Sequence, residues 1–349
     1  VTSAGPRGGA TWALVMLLPW LVGACTSSSH ASTPPTSKQP GFPVPSSTLN
    51  QPARAVTAPP AKPAVAGLTQ RLEVSLPAKV QETAAAATSD RLFVIAGYDS
   101  NGRNTANVFE FDGSSWSEGP SLPVALNHPA AAAINGAIFV AGGFAAPGAT
   151  ARAFELDDPH GLWREIAPMH HARAASVLMA LGGQLYAIGG RVGSTQVAIA
   201  ERYDPGSREW TDLAPLPHAR NHLSGYVEDG RICVTGGREP ATSARTDCLD
   251  PVNDIWSVAP SLPVATSGAA AGVAAGVLTV AGGESANETS LVPTVAERGD
   301  GVWSLVAMLA PRHGTAYALF HDRLWMCGGA TAPGVRASST CTSIGGGQS

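Results

Sequence analysis

Short apolar runs of five to seven residues, rich in β-branched and aromatic side chains, alternate along the chain with clusters of Gly, Asp, Asn and Pro. Such runs, bounded by turn residues, predict many short strands and no long helix. The runs recur with a period. "LFVIAGY", "IFVAGG", "LYAIGG", "ICVTGG", "LTVAGG" and "LWMCGG" recur, and their first glycines are Gly97, Gly142, Gly189, Gly236, Gly282 and Gly328. Their spacings are 45, 47, 47, 46 and 46 residues. Tryptophans keep the same beat at Trp116, Trp163, Trp210, Trp256 and Trp303, and acidic residues precede them at Asp112, Asp157, Asp204, Asp250 and Asp300. Three markers in phase establish a repeat architecture.

Each unit divides into four strands. In the third unit these are "AASVLMA", "LYAIGG", "VAIAERYD" and "EWTDLA", separated by "GGQ", a polar loop and "PGSR". Four antiparallel strands make one propeller blade, and a blade buries both faces only between neighbours. The Trp is large enough to bridge adjacent sheets. A glycine pair ending a strand, Tyr-Asp about 14 residues later, then Trp, resembles the kelch repeat. The resemblance covers residues 68–345. The Trp-Asp dipeptide of WD40 repeats is absent from these units. After Gly329 a sixth Trp would fall near position 349, while "QRLEVSLP" (Gln70 to Pro77) aligns with "WTDLAPLP" (Trp210 to Pro217). The expected fold is therefore all-β: a six-bladed kelch β-propeller whose last blade is closed by residues 70–76 beside Thr340–Ile344, hiding its edge.

The N-terminal part follows other rules. Arg7 precedes the apolar run Trp12–Ala24, too short to span a bilayer but suited to a signal peptide. It ends in "LVGAC", which resembles a bacterial lipobox with Cys25 as the lipidated residue. That resemblance implies a signal peptide over 1–24 and a membrane anchor on Cys25. Thr26 in place of Asp implies sorting to the outer membrane, facing the periplasm. Residues 25–67 are Ser, Thr, Pro and Ala with few large apolar side chains, the composition of a disordered tether. The propeller then occupies 68–349.

Charged residues are only 14% and the net charge is −4, so nucleic acid is not an expected partner. A protein or glycan of the cell envelope is, with the chain as a monomer. Cys233, Cys248, Cys327 and Cys341 fall in pairs on the second and third strands of blades four and six. Disulfides Cys233–Cys248 and Cys327–Cys341 and buried free thiols are both open readings. No Cys-x-x-Cys spacing occurs, and no metal site is expected.

No P-loop, His-Glu-x-x-His or Gly-x-Ser-x-Gly occurs, and no cofactor is expected. Function must then lie where repeats differ. Ten residues past each Trp stand Leu126, Arg173, Arg220 and Thr266, with Arg312 and Val80 completing the ring. Two residues further stand Glu82, His128, Ala175, His222, Gly268 and Gly314, with His313 close by. Arg173, Arg220 and Arg312 either satisfy turns or form an anion site at the channel mouth. The loops after the glycine pairs add Arg191, Arg238, Glu239 and Glu284, which are candidates for binding or simply solvated. The kelch resemblance extends to periplasmic sialic-acid mutarotases. It implies a second possibility, proton transfer to a sugar ring by Glu82, Glu239 or Glu284 with a nearby His or Arg.

Overall fold

The computed structural model describes residues 67–285 and 288–346. The expectations for the signal peptide, for Cys25 and for the tether up to residue 66 lie outside the described residues.

Each repeat folds as a meander because its turns force it. The first and second strands are joined by two-residue turns at Asn135-Gly136, Gly182-Gly183, Asp229-Gly230, Ala275-Gly276 and His321-Asp322, with φ positive at both residues. That is the backbone of a type I′ hairpin, whose twist matches the flanking strands. At the far end of the blade, Asp112, Asp204 and Asp250 accept N–H bonds from residues two and three ahead and fix the turn to the fourth strand. These acidic markers are turn formers.

The result is six four-stranded antiparallel sheets. Five are built from consecutive segments, at 84–118, 130–166, 177–212, 224–259 and 270–307. In the sixth, Ala316–Phe320, Arg323–Cys327 and Cys341–Gly345 are completed by Thr69–Glu73. Thr69 pairs with Gly345 and Glu73 with Cys341. The first described strand thus closes the ring against the last.

Blades are fastened to one another by the two repeat markers. The indoles of Trp116, Trp163, Trp210 and Trp256 donate to carbonyls of the preceding blade at Val74, Pro120, Ala167 and Ala214. The glycine pairs face the next blade. A Cβ on Gly142 would lie 2.4 Å from the Arg173 carbonyl oxygen, while the N–H of Gly143 donates to that same oxygen. Only glycine fits so close an approach. In the first blade Ala96 holds the first-glycine position, at φ 57°, and Gly97 is the second of the pair. The sequence reading placed Gly97 one step too early.

Cys233 lies opposite Cys248, and Cys327 opposite Cys341, on neighbouring strands, and both pairs are bonded.

Arg173, Arg220 and Arg312 do not form the anion site considered for them. All three are at most 1% exposed. Each is held inside its own blade. The Arg173 guanidinium pairs with Glu201 and donates to the Ala187 carbonyl. Arg220 pairs with Asp247 at 2.7 Å. Arg312 has no acidic partner among the described residues; it donates to the carbonyls of Thr340 and Met326 and to the Thr342 hydroxyl. Burial brings its pKa down to about 10, so it stays charged at neutral pH. The residue on the third strand matches the residue before the first. Where the latter is Leu126 or Val80, the packed partner in the same cluster is Phe154 or Phe109. These arginines are core.

A buried charge left without its partner costs about 3–5 kcal/mol. Asp247→Ala should therefore destabilise the protein by that order in urea unfolding. Adding Arg220→Met to it should recover most of the loss. Equal losses in the single and double variants would contradict this account.

Candidate functional site

The six chain segments meet at the axis through their backbones. Glu82 N–H donates to Gly314 C=O, Gly314 to Gly268, Gly268 to His222, His222 to Ala175, Ala175 to His128, and His128 back to Glu82, at 2.7–3.0 Å. These bonds form a closed ring. Every member has φ between 50° and 64°, the left-handed region. Four of the six are not glycine, although that conformation costs an L-residue about 1–2 kcal/mol. Glu82, His128 and His222 are three of those four.

Their side chains converge. His128 Nε2 is 3.1 Å and His222 Nε2 4.0 Å from the same oxygen, Glu82 Oε2. His313 Nδ1 lies 3.5 Å from Glu82 Oε1, and its Nε2 is 3.1 Å from Glu284 Oε1. Gly314 makes this possible, because a Cβ there would sit 2.3 Å from the Glu82 carboxylate. Arg238 joins the network at 2.7 Å from both Glu284 and Glu288.

A rim surrounds this floor. Its members follow the glycine pairs: Tyr98, Phe144, Arg191, Arg238, Glu284 and Ala330, each bridged to the residue before a ring member. Tyr98 and Phe144 meet the His128 ring edge-on at 5.8 and 5.7 Å. The Arg191 guanidinium lies 5.2 Å over the Phe144 ring. Arg191 has no carboxylate partner among the described residues.

Burial lowers the pKa of His128 and lowers that of His222 well below the usual imidazole range. Burial alone would raise the Glu82 carboxyl, but the imidazoles of His128, His313 and His222 outweigh it and hold it well below the carboxylate range. For His313 burial works downward, and the bond and charge of Glu82, with Glu284, raise it overall. Burial raises Glu284.

Of the candidates read from the sequence, Glu82, His128, His222, His313, Arg191, Arg238 and Glu284 come together here. Glu239 does not. It faces Arg220 at 3.9 Å and accepts from Ser243 within the fourth blade's loop. Tyr98, Phe144 and Glu288 were missed, as were the asparagines before the ring histidines. The signal was present in the Asn-His pairs at 127–128 and 221–222, two repeats apart.

The innermost strands also enclose an apolar cavity of about 470 Å³ that reaches the ring, walled by alanines 84–87 and 130–133 and by Met179 and Val227. Tyr317 crosses it, its hydroxyl accepting the Gly225 N–H at 2.9 Å. Burial pushes the Tyr317 phenol up to about 12, and likewise Tyr226. A raised phenol favours the folded state below its unfolded pKa of about 10, and that contribution is lost as pH climbs from there toward 12. Two of the chain's five tyrosines should therefore ionise last in an ultraviolet pH titration, with stability falling above pH ~10. Tyr317→Phe and Tyr226→Phe should each remove one late step. Five superimposed ordinary titrations would refute it.

Comparison with known proteins agrees with this fold. The family model described as "Kelch motif" matches residues 125–170 and 172–217. No curated protein matches the sequence. Among solved structures, that of YjhT superimposes with a TM-score of 0.68 at 14% identity, covering 76% of this chain and 95% of that one. With two matched repeats and a ring of six four-stranded blades, the chain is a kelch-repeat β-propeller.

Proposed function

We propose that the propeller is a recognition module that takes an anionic glycan, a sugar bearing a carboxylate, at the axial mouth. The observation that carries this reading is Arg191. It stands at the rim without a carboxylate partner, over Phe144 and beside a recessed floor of hydrogen-bonding groups. A guanidinium matches a carboxylate in shape and charge. An aromatic face takes the apolar side of a sugar ring. Arg238, by contrast, is already neutralised by Glu284 and Glu288. In this reading a lipid on Cys25 and the tether of residues 25–67 hold the module at the outer membrane, where envelope glycans are its partners.

A second reading is favoured by one contact, the pairing of Glu82 with His313 at 3.5 Å. A carboxylate and an imidazole so placed can hold and release protons at a sugar's anomeric centre, as the resemblance to sialic-acid mutarotases suggests. The two readings share a site and differ in turnover.

Thermal unfolding of the full chain with uronic acids, sialic acid and their neutral counterparts tests both. A ligand at 100 times its Kd stabilises by about 2.7 kcal/mol. The expected result is a shift with acidic sugars only, lost in Arg191→Met and in Phe144→Ala. A shift that survives both substitutions, or none with any sugar, overturns the mouth as the glycan site. Faster anomer exchange by NMR in the presence of the protein, abolished in Glu82→Gln, would favour the second reading.

A further inference from the structure

The floor of the mouth has a geometry that glycan recognition alone does not require. Two imidazoles present Nε2 to one carboxylate oxygen, and the three ligand atoms lie within 4.8 Å of one another. The tautomer of His128 is fixed by its surroundings. Asn104 Nδ2 donates to the Phe144 carbonyl, so its Oδ1 faces Asn127. Asn127 Nδ2 donates to that Oδ1 at 2.6 Å, so its own Oδ1 faces His128. His128 Nδ1 contacts this oxygen and must carry the proton. In the neutral imidazole its Nε2 lone pair then points at a carboxylate oxygen. Two acceptors at 3.1 Å repel, so the contact needs either a proton on Nε2 or a metal ion between the two atoms. His222 Nδ1 makes the same contact with Asn221 Oδ1, with Arg238 at 3.4 Å.

We propose that Glu82, His128 and His222 form a mononuclear site for a divalent first-row transition metal, open toward the mouth. Metal–ligand bonds of about 2.1 Å in tetrahedral geometry put neighbouring ligand atoms about 3.4 Å apart. The observed 3.1 and 4.0 Å bracket that value, and a small turn of the His222 ring closes the difference. Two imidazoles and one carboxylate are a donor set suited to Zn²⁺, Fe²⁺ or Mn²⁺. The asparagine chain is the outer support that orients a ligating imidazole. The closed backbone ring fixes all three ligand positions, and their left-handed conformations are strain of the kind kept at functional sites. Three protein ligands would leave a coordination position free. An ion there would accept an oxygen of whatever enters the mouth. The inference does not rest on the glycan reading, since the ion is held by the protein alone.

A rival cluster, His170, Glu201 and Asp212, is weaker. One Glu201 oxygen is engaged by Arg173 and the other by the His170 N–H, while Asp212 is 60% exposed. It serves as the control.

The test uses the full chain, stripped with a chelator and titrated with Zn²⁺ or Co²⁺ in the absence of any sugar. Calorimetry should give one equivalent, and Co²⁺ should develop the visible bands of a low-symmetry site. His128→Ala, His222→Ala and Glu82→Gln should each abolish binding, while His170→Ala leaves it intact. Asn127→Leu, which keeps all three ligands, should weaken it about 10–100-fold. Thermal unfolding of each variant without metal identifies any that fail to fold, and Asn127→Leu keeps the test decisive in that event. No stoichiometric binding, or binding lost in His170→Ala and kept in the three ring variants, overturns the proposal. Because no sugar is present, that failure is separate from failure of the glycan reading.

Discussion

Six backbone hydrogen bonds around the axis hold the arrangement on which everything else depends. Each blade contributes one N–H and one C=O to the cycle, at Glu82, His128, Ala175, His222, Gly268 and Gly314. A cycle cannot be partly closed. Five blades would leave a donor and an acceptor unpaired at the centre; the sixth supplies both through Gly314, and Thr69–Glu73 completes its outer edge. The same bonds demand positive φ at every member. Side chains at these positions are therefore present despite the backbone preference, not because of it. Packing alone would favour glycine at all six positions, as at 268 and 314. Glu82, His128 and His222 are better explained by what their groups do.

The fold was legible because its cause is periodic. Glycine pairs, tryptophans and acidic turns each repeat for a contact made once per blade: close approach to the next blade, an indole bond to the previous one, and a fixed turn. The blade count and the closing strand followed from that phase. The single slip, at Gly97, arose where Ala96 takes a glycine's conformation.

The site was only half legible. A period says which residues are equivalent; it does not say how far each lies from the axis. Arg220 and His222 are two positions apart. The first is sealed between strands against Asp247, and the second faces the centre. The segment joining them is irregular, so alternation gave no guide to direction. A better clue lay elsewhere in the repeat. Glu201, Asp247 and Thr342 on third strands accompany the arginines, and Phe109 and Phe154 replace them where the partner is apolar. That matching marks a buried pair rather than a ligand site. The Glu–His–His grouping escaped the usual metal spacings because its members come from three blades and meet only when the ring closes.

Around the rim an identical backbone displays a graded chemistry. Tyr98 and Phe144 are aromatic, Arg191 and Arg238 cationic, Glu284 anionic and Ala330 small. Pseudo-sixfold symmetry is thus broken in order, one property per sector. Arg238 sits next to Glu284 and is neutralised by it. Arg191 has an aromatic neighbour on its other side, which attracts its charge without cancelling it. The position of the uncancelled cation is a consequence of that order. In the proposed reading, a ligand entering along the axis would meet an aromatic wall, the one rim guanidinium without a carboxylate partner among the described residues, and a carboxylate–imidazole floor. These three lie in different sectors, so a scaffold of nearly equivalent blades presents an asymmetric surface.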